Sequence, residues 1–372
     1  MLYLTPKRRH RERVRFCTNG RNVFAAVLVP VSEVETIGSR RAARWLGDAD
    51  LMRLVVAGWL LVGVAAAHAD VTLLLEEPYG AFGGMTPTGH AAIYLDRVCA
   101  ATPVELRRCA PGEEGVVISR YHRVGGYDWI AIPLIPYLYA VENAEDVPAR
   151  VTPQQAAALR DAYRRAHLED IVADESDGGA PHGEWIQLLG EAYDRTIYTY
   201  GMETTPAQDD ELISALNSRS NRARFSLLLH NCADFSRQVI DFYYPHAVHR
   251  SLIADLGIMT PKQAAKCVLR YSRKHPDLQF TSFLIPQVPG TIARSSAVRG
   301  VLESFVRSKK YAVPLAPLAV LHPAVGAGMA YAWWCGSGFR PRQIAESHGG
   351  SPLKPGSVIA ALRSDAGDAK LP

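Results

Sequence analysis

The chain has 372 residues, of which 48% are hydrophobic and 21% are charged, and its formal net charge is +4. This length allows one large domain or two ordinary ones with a sizeable core. The composition excludes collagen, a wholly disordered chain and a small disulfide scaffold. The positive charge alone would favour nucleic acid or an anionic membrane as a partner, so its position along the chain matters.

The N-terminal part predicts a secretory signal behind an upstream extension. An Arg-rich stretch without periodicity precedes Met52, and the apolar run Leu54–Ala67 ends on an A-x-A cleavage site. We expect translation to begin at Met52, so that residues 1–51 are a non-native extension and residues 52–69 are a signal peptide. Asp70 would then begin the exported protein. An uncleaved anchor helix is the alternative.

The net positive charge lies entirely in this N-terminal part. Residues 1–69 hold eleven basic and five acidic residues, which leaves 30 basic and 32 acidic residues in the remainder. The expected exported part is therefore slightly acidic. It contains no basic stripe with interleaved aromatic residues, so we predict no nucleic-acid partner.

The next segment is β-rich. Apolar, β-branched and aromatic residues between Gly/Pro turns predict four strands, at Val71–Glu76, His90–Leu95, Gly115–Ser119 and Tyr127–Ile132. A loop between the second and third strands carries Cys99 and Cys109, which are a candidate disulfide in an exported domain.

The middle of the chain is helical. Three Thr-Pro-x-Gln motifs each place Thr at an N-cap, Pro at the first helical position and Gln three residues after the cap; they begin at Thr152, Thr205 and Thr260. We predict a further helix over Glu184–Tyr198. Strands are expected at Arg224–Leu229 and Gln279–Ile285, and a helix from Cys232 to about Tyr243 follows the first of them.

The C-terminal part is separate in character. Tyr311–Trp334 contains no charged residue and is long enough to span a bilayer, with aromatic residues at its end as interfacial anchors. Several prolines favour the alternatives, which are apolar packing or a re-entrant hairpin. We expect a catalytic domain over 70–290, a helix plus this apolar segment over 291–335, and a flexible tail over 336–372.

Cys232 is the best candidate for a catalytic nucleophile. Asn231 is a good N-cap, and the thiol falls in the first turn of a helix, where the dipole favours a thiolate. His90, early in a strand after Gly89, is the candidate base. A buried structural cysteine is the competing interpretation. The other histidines lack companions at metal-ligand spacing, so we predict neither a metal site nor a cofactor.

The motifs Gly89-His90-Ala-Ala-Ile-Tyr94 and Asn231-Cys232-Ala-Asp-Phe235 resemble those of the circularly permuted papain-like thiol enzymes. This NlpC-type group includes the lecithin:retinol acyltransferase-like proteins, and its His strand precedes its Cys helix. The resemblance covers about 70–245. It implies an α+β, permuted papain-like fold in which a small antiparallel sheet packs against the nucleophile-bearing helix, here with extra helices and the C-terminal apolar segment.

The resemblance implies that Cys232 is the nucleophile and His90 the general base, with a third polar residue orienting the imidazole. The candidates for that residue are His122, Ser119 and Asp128, and we rank His122 first. Asn231 stands at the helix start whose backbone N–H groups, with a side chain from the Pro78–Gly89 loop, would hold the oxyanion.

The sequence therefore predicts an exported cysteine hydrolase or acyltransferase. It would act through an acyl-enzyme on an amide, ester or thioester at the bacterial cell envelope, in a peptidoglycan peptide or a lipid or lipoprotein. We expect it in the periplasm or associated with the membrane through residues 311–334. A non-catalytic envelope binding or scaffolding protein on a papain-like fold is the alternative.

Overall fold

The structure is a computed structural model, and it describes residues 69–80, 87–122, 124–176, 178–222, 225–307, 309–349 and 357–358. The expected upstream extension and all of the expected signal peptide except its last residue lie outside the described residues.

The centre of the described part is a six-stranded antiparallel sheet with the order β6-β5-β2-β1-β7-β8. Its strands are β1 (Ala69–Glu76), β2 (His90–Leu95), β5 (Val116–Ser119), β6 (Ile130–Pro133), β7 (Ile197–Thr204) and β8 (Leu284–Ile285). Strands β3 (Val98–Thr102) and β4 (Glu105–Arg108) form a separate hairpin. The sheet and the helices confirm the predicted α+β class.

Helices cover both faces of the sheet. In β1, Leu73 and Leu75 belong to one hydrophobic core and Leu74 to another. The helices are α1 (Leu134–Tyr139), α2 (Pro153–His167), α3 (Glu191–Asp194), α4 (Pro206–Asn217), α5 (Cys232–Tyr243), α6 (Pro261–Ser272), α7 (Val301–Arg307), α8 (Lys309–Leu321), α9 (Pro323–Ser337) and α10 (Pro341–Gly349). Because both faces are buried, the central strands are apolar without alternation.

The prediction of a helix over Glu184–Tyr198 is wrong. A 3-10 turn over Glu184–Leu188 and the short α3 replace its first part, and β7 begins at Ile197. Gly190 between the two turns has φ +67°, a left-handed conformation that ends any helix. The β-branched and aromatic residues that follow pair with the full length of β1.

Two other expected strands are also wrong in extent. Ser226 and His230 exchange backbone hydrogen bonds of 2.9 and 3.2 Å, so the described part of Arg224–Leu229 is a tight turn. Of Gln279–Ile285, β8 retains only the last two residues.

The β3–β4 hairpin occupies what was expected to be a loop. Cys99 and Cys109 form a disulfide there, with an S–S distance of 2.06 Å.

The three Thr-Pro-x-Gln motifs begin α2, α4 and α6, as predicted. Thr152 and Thr205 form complete capping boxes. Thr260 caps the N–H of Gln263, but the Gln263 amide turns away and donates to His249 O at 3.1 Å. The buried Gln263 side chain therefore hydrogen-bonds a loop carbonyl and does not complete the capping box with Thr260.

The C-terminal part differs from the expected membrane-spanning segment. His322, before Pro323, leaves the helical conformation (φ −126°, ψ 100°), as residues before proline tend to do, and this splits Tyr311–Trp334 between α8 and α9. No helix in the described ranges has the length and apolar character needed to cross a membrane. Part of the expected flexible tail is α10, which lies against β7 and β8 and buries Ala345.

Candidate functional site

Cys232 is the first residue of α5, as predicted. Asn231 is the N-cap, and its Oδ1 accepts from the Asp234 backbone N–H at 2.9 Å. Its amide nitrogen donates to the carbonyls of Leu227 at 2.9 Å and Met259 at 3.0 Å. The buried Asn231 therefore fixes the helix start between two loops and places the thiol.

The apolar face of α5 holds Cys232 against the sheet. Phe235, Val239 and Ile240 are buried in the same core as alternate residues of β1 and β2, because they recur at helical spacing along one side of the helix. Cys232 is a free cysteine with a partly exposed side chain.

His90 is the first residue of β2, and its position depends on Gly89. Gly89 has φ +74°, and a Cβ there would lie 2.1 Å from the carbonyl oxygen of Glu76 on β1. Only glycine fits this left-handed conformation and this close approach of two strands. The imidazole is 7% exposed.

The hydrogen bonds of Ser119 determine the tautomer of His90. The Ser119 hydroxyl donates to Ala91 O at 2.8 Å and lies 2.9 Å from His90 Nε2. A serine has a single hydroxyl proton, so Oγ accepts from Nε2–H. Nδ1 then carries the lone pair and is the nitrogen that can take a proton.

Tyr121 holds the plane of the imidazole. The two rings stack with centroids 5.0 Å apart and an interplanar angle of 20°. The Tyr121 hydroxyl donates a hydrogen bond to Tyr137 Oη at 3.5 Å.

Ser119, and not the first-ranked candidate His122, is the residue that the structure hydrogen-bonds to His90. The His122 backbone N–H donates to Glu184 Oε2 at 2.9 Å, and its Nδ1 lies 3.8 Å from Glu184 Oε1. Asp128, the third candidate, pairs with Arg120 at 2.5 Å. Ser119 is the polar end of an otherwise apolar strand beside β2, and that is the sequence signal that could have placed it first.

Cys232 and His90 line one cavity of about 770 Å³. His122, Asn231 and Arg195 also line it, as do apolar side chains that include Leu227, Leu228 and Phe305. Residues 78–80 and 87–89 contribute from the loop that was expected to assist the oxyanion. The middle of that loop lies outside the described residues.

A buried ionic cluster that sequence reasoning missed lies behind the site. Arg195 contacts Glu76 at 3.1 Å and Glu191 at 2.7 Å, and all three side chains are almost fully buried. Tyr137 donates to the other oxygen of Glu76 at 2.5 Å. Burial raises the pKa of both carboxyl groups, against the lowering effect of Arg195. Glu76 and Arg195 are 119 residues apart in the sequence, so no local pattern predicts their contact.

Burial also keeps both members of the Cys–His pair neutral. It lowers the pKa of His90 well below its usual value, with the charge of Arg195 adding to the effect. It raises the pKa of Cys232 to about 11, although the N–H groups of Ala91 and Ala233 act in the opposite direction. The cavity is therefore lined by a thiol and a neutral imidazole.

Within the described ranges, one group of side chains has the spacing of a metal site: Cys99, Cys109 and Glu113. Two of its three ligand atoms are joined in the disulfide, so this group does not offer thiolates to a metal.

No protein-family model matches the chain, and no curated protein sequence matches it. One similar solved structure is described as the type VI secretion system effector TseH. It has 11% sequence identity and a TM-score of 0.28, and the match covers 60% of this chain and 95% of that chain. A TM-score this low carries no argument about function.

Proposed function

We propose that the chain is an exported cysteine hydrolase or acyltransferase that forms an acyl-enzyme on Cys232. The observation that carries this proposal is the hydrogen bonding of Ser119, which leaves His90 Nδ1 as a base in the cavity that Cys232 shares. A nucleophile, a base and a group that orients the base are the requirements of such a site.

The chemistry follows from these positions. His90 Nδ1 takes the thiol proton as Cys232 Sγ attacks a substrate carbonyl. The oxygen of the tetrahedral adduct gains negative charge, which the N–H groups at the start of α5 stabilise. The adduct collapses, the imidazolium returns the proton to the leaving amine, alcohol or thiol, and a thioester remains on Cys232. Water or a second acceptor then takes the acyl group by the same steps in reverse.

The neutral state of the pair makes His90 a general base at the moment of attack. A thiol with a pKa of about 11 has little thiolate at neutral pH. The proton must therefore move as the carbon–sulfur bond forms, and the orientation of the imidazole matters more than in a preformed ion pair.

The proposed substrates are amides, esters or thioesters at the bacterial cell envelope. The resemblance of the two motifs to permuted papain-like enzymes and the predicted signal peptide support this class and the location. Exposed Leu227 and Leu228 at the cavity favour an apolar acyl group, as in a lipid or lipoprotein, over a peptidoglycan peptide.

Acylation by p-nitrophenyl esters of increasing chain length tests the proposal. We expect a p-nitrophenolate burst and a mass increase of one acyl group per chain, both lost in Cys232→Ala and His90→Ala. Cys267→Ala removes another free cysteine and is the matched control, which keeps the burst. Acylation that persists in Cys232→Ala would end the proposal.

A non-catalytic binding or scaffolding role is the second candidate. The raised pKa of Cys232 favours it, since a thiol with little thiolate at neutral pH is poorly reactive. Absence of a burst with every ester, in a chain whose folding is intact by circular dichroism, would support this role.

A further inference from the structure

The helices α8 and α9 form a hairpin that the proposed chemistry does not use. Between Lys310 and Arg340 the sequence contains no Asp, Glu, Lys or Arg. The two helices have 13 and 15 residues, which corresponds to about 20 Å each.

Contacts at both ends show that the hairpin is antiparallel. At the tip, the His322 N–H donates to Leu318 O at 2.9 Å, and a Cβ on Gly326 would lie 3.1 Å from Ala319 O. At the base, the Arg307 guanidinium lies over the Trp333 ring at 4.5 Å. The C-terminal end of α9 therefore lies beside Arg307, the last residue of α7, and the two helices of the hairpin run antiparallel.

The tip exposes large apolar side chains. Val320 is 83% exposed and Leu321 is 71% exposed, and Leu318 is also exposed. Contiguous exposure of this kind is uncommon in soluble proteins and marks an interaction surface.

The base combines tryptophan with basic residues. Arg340 is exposed just after α9, and the exposed Trp333 lies beside Arg307. An apolar tip above a level of tryptophan and basic residues matches the layers of a membrane: acyl chains, interface and anionic headgroups.

We propose that residues 309–337 insert as a hairpin into one leaflet of a bilayer that contains anionic lipid. Each arm is shorter than the hydrocarbon core of about 30 Å, so the hairpin enters the membrane without crossing it. The turn at its tip pairs its own backbone through the His322 and Val325 N–H groups.

The hairpin is joined directly to the cavity. Val301 and Phe305 on α7 line the cavity, and Arg307 on the same helix contacts Trp333 at the base of the hairpin. Insertion would hold this wall of the cavity at the membrane surface. The proposal stands independently of the chemistry at Cys232.

Vesicle partition of the full chain tests the proposal. We expect tighter binding to phosphatidylcholine vesicles that contain phosphatidylglycerol than to phosphatidylcholine alone. Val320→Asp should weaken partition by about 100-fold, because it places a carboxylate at acyl-chain depth. Ala158→Asp, on an exposed face of α2, is the matched control and should leave partition unchanged. Equal partition of wild type and Val320→Asp would overturn the proposal.

A local measurement separates the hairpin from any other membrane contact of the chain. The tryptophan added by Val320→Trp should be strongly quenched by lipids with brominated acyl chains, beyond the quenching of the native tryptophans in the wild type, whereas the tryptophan added by Ala158→Trp should contribute no further quenching. Equal quenching of the two variants would place the tip in water. A concentration-dependent dimer without vesicles that Val320→Asp dissociates would instead make the tip an interface between copies. Each of these results refutes insertion.

Discussion

Replacing Ser119 by alanine is the sharpest test of how the site is organised. The variant removes the acceptor of the His90 Nε2–H bond, which is 2.9 Å long, and frees the Ala91 carbonyl. The imidazole is buried, so water does not readily replace the hydroxyl. A buried donor left without a partner costs about 1–3 kcal/mol. The reactive orientation bears that cost, so acylation should slow by about 5- to 150-fold.

The assay is the rate of the p-nitrophenolate burst under single-turnover conditions, with circular dichroism to confirm folding. Ser119→Thr retains a hydroxyl and should recover most of the rate. His122→Ala removes a half-exposed partner of Glu184, and such pairs contribute about 0–1 kcal/mol, so its effect should stay within about fivefold. A full rate in Ser119→Ala together with a collapse in His122→Ala would refute the reasoning.

Three further results are expected. Burial holds the pKa of His90 well below 6.5, so the unfolded chain binds a proton that the folded chain does not; the free energy of unfolding in urea should fall below about pH 6.5, and less so in His90→Gln. Iodoacetamide should alkylate Cys232 faster as pH rises towards 11, and a plateau near neutral pH would contradict the raised pKa of this thiol. Replacing Cys99 and Cys109 by serine should cost about 3 kcal/mol in thermal unfolding, and an unchanged Tm would contradict the disulfide.

Local signals in the sequence were sufficient for many elements. The Thr-Pro-x-Gln motifs located the starts of α2, α4 and α6, because a capping side chain and its N–H groups lie within one turn. Asn231 before Cys232 located the start of α5 for the same reason. Strands β1 and β2 were predicted from their β-branched and apolar residues.

The missed elements depend on distant partners. Residues 184–198 contain enough helix formers to predict a helix, but Ile197 and Tyr198 pair with β1 and are buried in different cores. Burial on both faces removes the alternation by which a strand is identified. The β3–β4 hairpin is short and partly exposed, so its pattern was equally weak.

The site residues also divide into those that local sequence predicted and those that only the structure identified. The two motifs named Cys232 and His90, and the structure places both on one cavity, although their roles stay proposals. Ser119 is the polar end of an apolar strand, but only the pairing of β5 with β2 places it beside His90. Glu191 and Arg195 are one helical turn apart, but Glu76 reaches Arg195 only because β1 pairs with β7, which begins two residues after Arg195.

The sequence by itself determined where helices start, that Cys232 begins one of them, and that the net charge of +4 belongs to the residues before Asp70. These properties are local, since a cap, a helix terminus and a count of charges need no distant contact. Tertiary structure alone decided the partner of His90 and the protonation of the Cys–His pair. Each of these depends on burial and on contacts between segments far apart in the chain, which no window of sequence contains.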